Sequence, residues 1–547
     1  MKSEINGNPT DLQSTQQKRP NKTANQTIFI LIAALLFALS FTYKPLYTDN
    51  QNTKFLIAAG QTNHGQLSQD WLANSIDPLP IFTAIIRAFY ELNTIELSYA
   101  AFLLLLLLYF LSLNAIAEKL FSIQTGSRAS FIFILLFFSL HYAIPSVATG
   151  GMAYQYLLGN YFQPCVFGIF VFLSINSFLR KQTLFSSLWL SVAALLHPGA
   201  YIFPSLLLTA SYGFIIYREQ RSLLRALTPT IIFSALLAPL LIYYFGALGP
   251  TSPEAWQQSI DILSRERIPH HTQVSHWLSL STAIQLGICI SALWLLGRKS
   301  RLFLPLTVLF SFITLAIIAL YLFELPAISF ATPWRISVLL IPLSSTVVAG
   351  WIGNHLARWL DHRLPNRALY LIGALLIIPA IMSGINSTKG KFKRYANNGT
   401  EQLIQTAIAL AGQDNLILLP VRDQRLYAFR LDTGIPILVN WKSHPYKDTE
   451  VIEWHKRVGL ADDFYYSDTA TERRDALTQL IAEYGVTHVI TTQKMDDQMA
   501  SLFAQKPVYQ DERYRLYEAR IGIAKPILRK PDQQIGEMTI GTGRYGG

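Results

Sequence analysis

Long apolar runs separated by short polar connections dominate the first two thirds of this sequence. Each run approaches the roughly 20 residues that an α-helix needs to cross about 30 Å of hydrocarbon, so the pattern indicates a chain that lies in a lipid bilayer. It predicts eleven helices, over residues 27–43, 97–117, 129–145, 161–179, 184–196, 200–217, 228–247, 277–296, 302–322, 334–356 and 368–386.

From residue 387 the pattern changes to short β-rich runs alternating with amphipathic stretches, which is typical of a small soluble α/β domain. The predicted strands cover 415–420, 435–441, 486–491 and 514–518, and the predicted helices cover 449–458 and 471–484. The fold class is therefore an α-helical polytopic membrane protein with a small C-terminal α/β domain. Its predicted parts are a disordered N-terminus (1–26), a transmembrane domain (27–386), a soluble domain (387–520) and a flexible tail (521–547).

Composition agrees with the pattern, since 51% of the 547 residues are hydrophobic and only 14% are charged. A net charge of +11 is compatible with nucleic-acid binding, but basic residues in short connections are what membrane orientation requires. No nucleic-acid partner is therefore predicted. The two cysteines, Cys165 and Cys289, both fall inside apolar runs, which excludes a disulfide or thiolate-metal framework.

Loop charge predicts the orientation of the chain. Most basic residues of the connections, such as Arg180, Lys181 and Arg298, fall on the side of the N-terminus, which the positive-inside rule places in the cytoplasm. Eleven helices then place the C-terminal domain outside, in the periplasm or extracellular space of a bacterium whose inner membrane holds the chain. The first apolar run lacks a clear small-x-small cleavage site, which favours a retained helix over a cleaved signal peptide.

Two predicted outer connections, 44–96 and 248–276, are longer than a helix connection requires, and such loops are usually functional. The first contains His64 and Gln69-Asp70-Trp71. A carboxylate beside an aromatic ring can accept a proton from a hydroxyl while the ring packs on a sugar, so Asp70 is a candidate general base, with His64, Gln69 and Trp71 as substrate contacts. The alternative is that Asp70 caps a short interfacial helix and Trp71 belongs to an aromatic belt.

Trp334-Arg335, after Pro333, forms a second candidate site at the outer start of the tenth helix. A guanidinium held by a rigid turn can grip a lipid phosphate with two hydrogen bonds, whereas an interfacial arginine can also simply snorkel to the headgroups. Tyr154 lies in a polar, aromatic segment after the third helix that suits carbohydrate or an ordinary interfacial loop.

The remaining polar residues give weaker signals. Arg267, His270 and His271 could contribute charge to a cavity, although a solvated helix is the default, and Lys442 and His444 are predicted to lie at the surface. The sequence contains no metal-spaced His/Cys cluster, so no cofactor is predicted, and a divalent metal is left open without supporting residues.

The arrangement resembles the GT-C superfamily of integral-membrane glycosyltransferases. The shared features are a cytoplasmic N-terminus, many helices, an extracytoplasmic α/β domain and a long first outer loop with an acidic residue, here Asp70 or, in second place, Asp49 or Asp77. Gln69-Asp70-Trp71, Pro333 to Ser337 and the segment from Phe429 to Trp454 are similar to an uncharacterised family of bacterial multi-pass proteins.

The resemblance implies a polyprenyl-phosphate or polyprenyl-diphosphate sugar donor, held between helices in contact with membrane lipid, and an envelope acceptor that approaches from outside. Asp70 would take the catalytic acidic role. Two other classes remain open, a lipid or glycan transporter or flippase and a non-catalytic envelope-assembly protein. A transporter is disfavoured because the ionisable residues gather at the membrane edges instead of its middle.

Overall fold

The computed structural model describes residues 24–41, 43–323, 325–361, 363–389, 399–412 and 414–520. Nearly all of the predicted disordered segment 1–26, and the whole predicted tail 521–547, lie outside the described residues. Within them the chain forms a helical bundle and a smaller domain with a four-stranded sheet.

The chain begins with an apolar helix, α1 (Ala24–Ser40), whose buried Phe37 ring packs among aromatic side chains of two later membrane helices. The first long connection then folds into three helices, α2 (Gln51–Lys54), α3 (Leu56–Gln61) and α4 (Pro80–Glu91). Two 3₁₀ turns, Leu67–Gln69 and Leu72–Asn74, separate α3 from α4. Proline opens α4 because its fixed φ suits the first helical turn, where its missing N–H is not needed.

Six α-helices longer than one turn follow, with the short helix α7 and a 3₁₀ turn over Pro164–Gly168 among them. In chain order they are α5 (Leu97–Phe121), α6 (Arg128–Ala143), α7 (Pro145–Ala148), α8 (Ile169–Leu179), α9 (Thr183–Leu196), α10 (Pro198–Gln220) and α11 (Leu223–Ala247). His197 alone separates α9 from α10, and these two helices pack against each other, so this site is a tight turn between neighbours.

The second long connection holds α12 (Pro253–Asp261), a π turn over Ile262–Arg267, α13 (Pro269–Thr272) and a 3₁₀ turn over Val274–His276. The rest of the bundle contains five helices and the 3₁₀ turn Pro333–Ile336. The helices are α14 (Leu280–Leu296), α15 (Phe303–Leu322), α16 (Pro326–Ala331), α17 (Ser337–Leu360) and α18 (Asn366–Lys389).

Each of the eleven predicted apolar segments overlaps an α-helix of the described chain. Six spans are long and apolar enough to cross a bilayer: Leu97–Phe121, Pro198–Gln220, Leu223–Ala247, Phe303–Leu322, Ile328–Leu360 and Asn366–Asn386. Five apolar helices of 10–17 residues accompany them: Ala24–Ser40, Arg128–Ala143, Pro164–Leu179, Thr183–Leu196 and Leu280–Leu296. The chain is a multi-pass membrane protein, and the exact number of crossings stays a prediction.

The C-terminal domain wraps helices around a small mixed sheet of order β1-β2-β4-β3, in which β1 and β2 are parallel and the other pairs are antiparallel. Its elements are α19 (Glu401–Leu410), β1 (Ile417–Leu418), α20 (Phe429–Thr433), α21 (Asp448–Tyr466), α22 (Ala470–Tyr484), β2 (His488–Thr492), α23 (Gln493–Met499), β3 (Tyr509–Gln510) and β4 (Tyr514–Glu518). The predicted fold class is confirmed.

One predicted strand, 435–441, is wrong. Only Ile437 makes an isolated bridge, to Ile417, and the rest of the segment is irregular. The physical reason is that the Ile437 N–H donates to a side chain of the first long connection, 3.2 Å away, instead of continuing a ladder.

The domain is docked on both long connections. Ile262 and Leu263 of the second connection are buried in the core of the domain. On the first connection the Gln66 N–H donates to the Gly434 carbonyl, and a β-carbon added at Gly65 would meet that oxygen at 2.5 Å. Gly65 and Gly434 both have positive φ and their backbones are in contact, so both positions favour glycine for its conformational freedom and for its lack of a side chain.

Candidate active site

A cavity of about 880 Å³ lies between the helix bundle and the C-terminal domain. Its walls come mainly from both long connections, the segment 154–165, the start of α10, the turn before α17 and the segment 442–446 of the domain. The polar residues that matter for its chemistry are Asp49, Lys54, Arg267, Arg335, Lys442, His444 and Tyr446.

Arg335 reaches this cavity from the 3₁₀ turn Pro333–Ile336. The turn is fixed by the neighbouring Trp334, which is fully buried, contacts the Trp277 ring at 4.9 Å between centroids and donates its Nε1–H to the His271 carbonyl at 2.8 Å. Within the described part of the chain, the Arg335 Nε is buried without an acceptor, and no carboxylate lies within ion-pair distance of the guanidinium. A buried cation without a counter-charge is costly, so the site is suited to an anionic ligand.

Three more cations, Lys54, Arg267 and Lys442, line the same cavity. The Lys54 ammonium donates to the Tyr446 hydroxyl at 2.6 Å and lies 4.3 Å from the centre of its ring. Arg267 donates through Nη2 to the Lys442 carbonyl at 2.8 Å, while its buried Nε has no acceptor among the described residues. Because Asp49 is the single carboxylate on the described lining, the four cations leave a net positive charge.

Three titratable side chains on the lining, His271, His444 and Tyr446, respond to burial and to this charge. Burial, followed by the Arg267 charge, lowers the pKa of His444 to about 3, so this ring is neutral at neutral pH. Burial and the nearby cations likewise bring the pKa of His271 down to about 4. Burial alone would raise the pKa of Tyr446, but Lys54, Arg335 and Arg267 together lower it. The positive charge of the cavity therefore comes from lysine and arginine.

Asp49 lies where this cavity meets a second one of about 810 Å³. It precedes α2 in a left-handed conformation (φ 54°), which aspartate tolerates better than most residues. Its Oδ1 is paired with the Lys442 ammonium, and its Oδ2 accepts from the Tyr161 hydroxyl at 2.9 Å. Burial would raise the Asp49 pKa, but Lys442 and Tyr161 hold it below the usual value. The Asp49 side chain is 35% exposed, and its charged carboxylate is accessible from both cavities.

The second cavity has a different chemistry. Lys44 and Asp49 are the charged residues on its described lining, and the rest is a mixture of aromatic, hydroxyl and amide groups. The groups relevant to ligand binding are Tyr154, Gln155, Tyr156, Asn160, Tyr161, Trp277, Thr282 and Gln285. Tyr154, one of the predicted substrate contacts, is 66% exposed and lines both cavities.

Asp70 lies on neither cavity lining. It is fully buried, and its carboxylate accepts from the backbone N–H groups of Leu72, Ala73 and Ile437 and from Arg430 Nη1 at 2.9 Å. It caps the 3₁₀ turn Leu72–Asn74 and ties it to the domain. With four donors and no access to solvent, it cannot meet an incoming hydroxyl, so this geometry argues against the predicted general-base role.

The other candidates of the first connection also lie away from the described cavity linings. The His64 Nε2 is 3.0 Å from the Leu431 carbonyl, the Arg457 guanidinium lies 4.1 Å from the Trp71 ring centre, and Gln69 is exposed at the surface. His64 and Trp71 serve domain docking. Trp334 is also a structural anchor, because its buried ring faces Trp277 and not the cavity.

Sequence reasoning missed Lys54, Tyr446 and the role of Lys442. The segment Trp441-Lys442-Ser443-His444-Pro445-Tyr446 combines aromatic, basic and proline residues, and this was the available signal. Its partner residues lie about 390 positions earlier, so their proximity is not visible along the chain. Among the described residues no group of three His, Cys, Asp or Glu side chains has the geometry of a metal site.

Comparison with known sequences finds a family match within the C-terminal domain. Residues 405–461, which include Arg430 and Lys442, match the family described as "Domain of unknown function (DUF6798)". No curated protein matches the sequence.

Among solved structures, the chain is similar to ArnT from Cupriavidus metallidurans bound to undecaprenyl phosphate, with a TM-score of 0.50, 13% identity and coverage of 94% of this chain and 100% of that one. Apo ArnT from the same organism gives a TM-score of 0.49 and 13% identity, over 91% of this chain and 98% of that one. This likeness shows an ArnT-like fold, in agreement with the predicted GT-C-like fold.

Proposed function

We propose that this chain is a GT-C-type membrane glycosyltransferase that moves a sugar from a polyprenyl-phosphate donor to a hydroxyl of an envelope acceptor. The observation that carries the proposal is a cavity in which Arg335 has no carboxylate partner among the described residues and shares the lining with Lys54 and Arg267, so that an anionic ligand fits there. The fold shared with ArnT, one of whose structures holds undecaprenyl phosphate, supports the same donor class.

The cavity is amphipathic, as such a donor requires. Arg335, Lys54 and Arg267 form its cationic end. Another part of its lining is apolar and includes Phe203 and Phe312, whose rings are 4.5 Å apart, and Ile328. Phe203 and Ile328 are 45% and 47% exposed and belong to spans long and apolar enough to cross a bilayer, so a prenyl chain can extend from the cavity into lipid while the phosphate binds the cations.

Asp49 takes the role of general base. The acceptor hydroxyl gives its proton to the Asp49 carboxylate, and the acceptor oxygen bonds to the anomeric carbon as the bond from that carbon to the phosphate oxygen breaks. The departing phosphate keeps the electron pair, and the surrounding cations stabilise its charge. The acceptor enters through the second cavity, whose tyrosines, amides and hydroxyl groups suit a carbohydrate.

The proposed orientation of the protein in the membrane follows from the charge of its loops. The N-terminus lies in the cytoplasm, and the C-terminal domain and both cavities lie on the outer side of the bacterial inner membrane. There the head of a membrane-embedded donor meets an acceptor of the envelope.

A binding and transfer assay tests the proposal. Purified protein in nanodiscs is given undecaprenyl phosphate for binding and radiolabelled polyprenyl-phosphate sugars with an envelope extract for transfer. We expect Arg335→Gln to weaken lipid-phosphate binding by about tenfold or more and to abolish transfer. Arg298→Gln, an exposed arginine in the connection between α14 and α15, is the matched control. Equal binding by the Arg335 and Arg298 variants would remove the phosphate site, and binding without transfer of any donor tested would favour a lipid transporter.

A further inference from the structure

Lys442 reaches the candidate active site from the C-terminal domain on a rigid stretch of backbone. The Trp441 N–H donates to the Val421 carbonyl at 2.9 Å, and the Ser443 N–H donates to Asn440 Oδ1 at 2.7 Å. The Asn440 carbonyl in turn accepts from the indole of Trp454, whose ring is fully buried in the domain core. The backbone on both sides of Lys442 is therefore fixed by the domain.

The same stretch is bonded to the connections that carry the rest of the site. The Ser443 hydroxyl donates to Asn52 Oδ1 at 3.0 Å and accepts from Thr53 at 2.9 Å, and both partners lie in α2, directly after Asp49. Arg267 binds the Lys442 carbonyl from the second connection. These contacts fix the Lys442 backbone relative to Asp49, so the ammonium group reaches the carboxylate without rearrangement.

We infer that Lys442 is a positioning residue for the reaction, an inference that rests on the proposed function. Lys442 neutralises Asp49 and holds its carboxylate between the two cavities. Because Lys442 belongs to the C-terminal domain, the site depends on the docking of that domain. Without this partner, a carboxylate would stand beside the place where the donor phosphate binds and would repel it. Other charged or titratable groups around Asp49 are Lys44, Tyr156, Tyr161, Cys165 and Arg267.

Thermal unfolding of purified protein between pH 5 and 8 tests the pairing without substrate. We expect Lys442→Gln to lower Tm at pH 8, because it leaves a partly buried carboxylate unpaired, and we expect Asp49→Asn to restore most of the loss in the double variant. The rescue should shrink as pH falls, because Asp49 without Lys442 has a raised pKa and becomes protonated. Additive effects of the two changes at every pH would overturn the pairing.

The pH profile of sugar transfer tests the positioning role. In Lys442→Gln the acid limb should move upward by roughly one to two pH units, since the opposing charge that holds Asp49 ionised is lost. Lys442→Arg should restore the wild-type profile. The control is Lys456→Gln, which removes an exposed lysine of the same domain that pairs with Glu483. Its effect on Tm should add to that of Asp49→Asn, and it should leave the pH profile of transfer unchanged.

The outcomes separate this inference from the proposed function. An unshifted acid limb in Lys442→Gln, with reduced rate alone, would leave Lys442 a structural residue and overturn the inference. Coupling between Asp49 and Lys442 in the unfolding cycle, together with absence of transfer by the wild-type protein, would overturn the proposed function while the pairing stands.

Discussion

Asp70 and Arg430, 360 residues apart in the chain, form a fully buried ion pair at 2.9 Å between the first long connection and the C-terminal domain. The carboxylate accepts three backbone N–H groups as well, one of them from Ile437 of the domain. Such a pair contributes little net stability, but removal of one partner leaves a buried charge alone and is strongly destabilising.

We therefore expect Asp70→Ala to lower the free energy of unfolding by about 3 kcal/mol or more. Asp70→Leu combined with Arg430→Met should recover part of that loss, because neither charge then remains buried. Intrinsic-fluorescence melting of the purified variants measures both effects. Arg87→Ala is the control, because Arg87 forms an exposed pair with Glu91, and it should change stability little. Full stability of Asp70→Ala would contradict the docking role.

The same variants distinguish docking from catalysis. Asp70→Asn protein that remains folded should keep measurable transfer, whereas Asp49→Asn should lose it and still bind undecaprenyl phosphate. Radiolabel transfer, normalised to the folded fraction, compares the two. Loss of transfer by folded, lipid-binding Asp70→Asn alone would return the base role to Asp70.

The acid limb of the wild-type reaction should lie on the acid side of the ordinary aspartate pKa. Lys442 and Tyr161 hold the pKa of Asp49 below its ordinary value in spite of burial, and the base works only while it is ionised. Transfer should therefore fall only as pH drops through that low value, apart from titration of the donor phosphate itself. His444 and His271, with pKa values of about 3 and 4, should add no step between pH 6 and 8. A step there that His444→Gln removes would contradict this charge assignment.

Arg335 should not be replaceable by lysine. Arg335→Lys keeps the charge but loses the planar edge that binds phosphate with two parallel hydrogen bonds, so KM for the donor should rise about tenfold. Steady-state kinetics at varied donor concentration measures it, and Lys54→Arg, which keeps charge at the same cavity, should have a smaller effect. Equal KM values for wild type and Arg335→Lys would show that charge alone suffices.

Cysteine labelling tests the orientation. In a variant without Cys165 and Cys289, a cysteine at Ser68, an exposed position of the first connection, should react with a membrane-impermeant maleimide added to intact spheroplasts. A cysteine at Lys299, exposed between α14 and α15, should react only after lysis. The reverse pattern would place the site in the cytoplasm and remove an envelope acceptor.

The sequence predicts the membrane part well because an apolar run of sufficient length has few alternatives to a helix. It also marks Arg335 as a candidate phosphate ligand, since Pro333 and Trp334 indicate a rigid turn next to a helix start, but it leaves an arginine that snorkels to the headgroups as the alternative. The choice of acidic residue depends on contacts that one sequence does not reveal. Asp70 and Asp49 both occur in the first connection. Asp70 is buried against Arg430, whereas Asp49 pairs with Lys442 at the cavity, and both partners lie far along the chain.

The predicted strand 435–441 failed for the same reason. Its residues have β-propensity, but the Ile437 N–H is used by Asp70 from a distant segment. Local pattern therefore predicted β1, β2, β4, α21 and α22 of the domain but not α19, α20, α23 or β3. It also did not predict the irregular segment that leads to Lys442, His444 and Tyr446.

The cavity that contains Arg335 is lined by both the helix bundle and the C-terminal domain, and this division has a consequence for how such proteins are cut, fused or shortened. A bundle expressed without its C-terminal domain would keep Lys54, Arg267 and Arg335. It would lose Lys442, the ion-pair partner of Asp49, and with it the part of the cavity lining that the domain supplies. We therefore expect the bundle alone to lack the proposed activity, so assays of that activity should use the full chain.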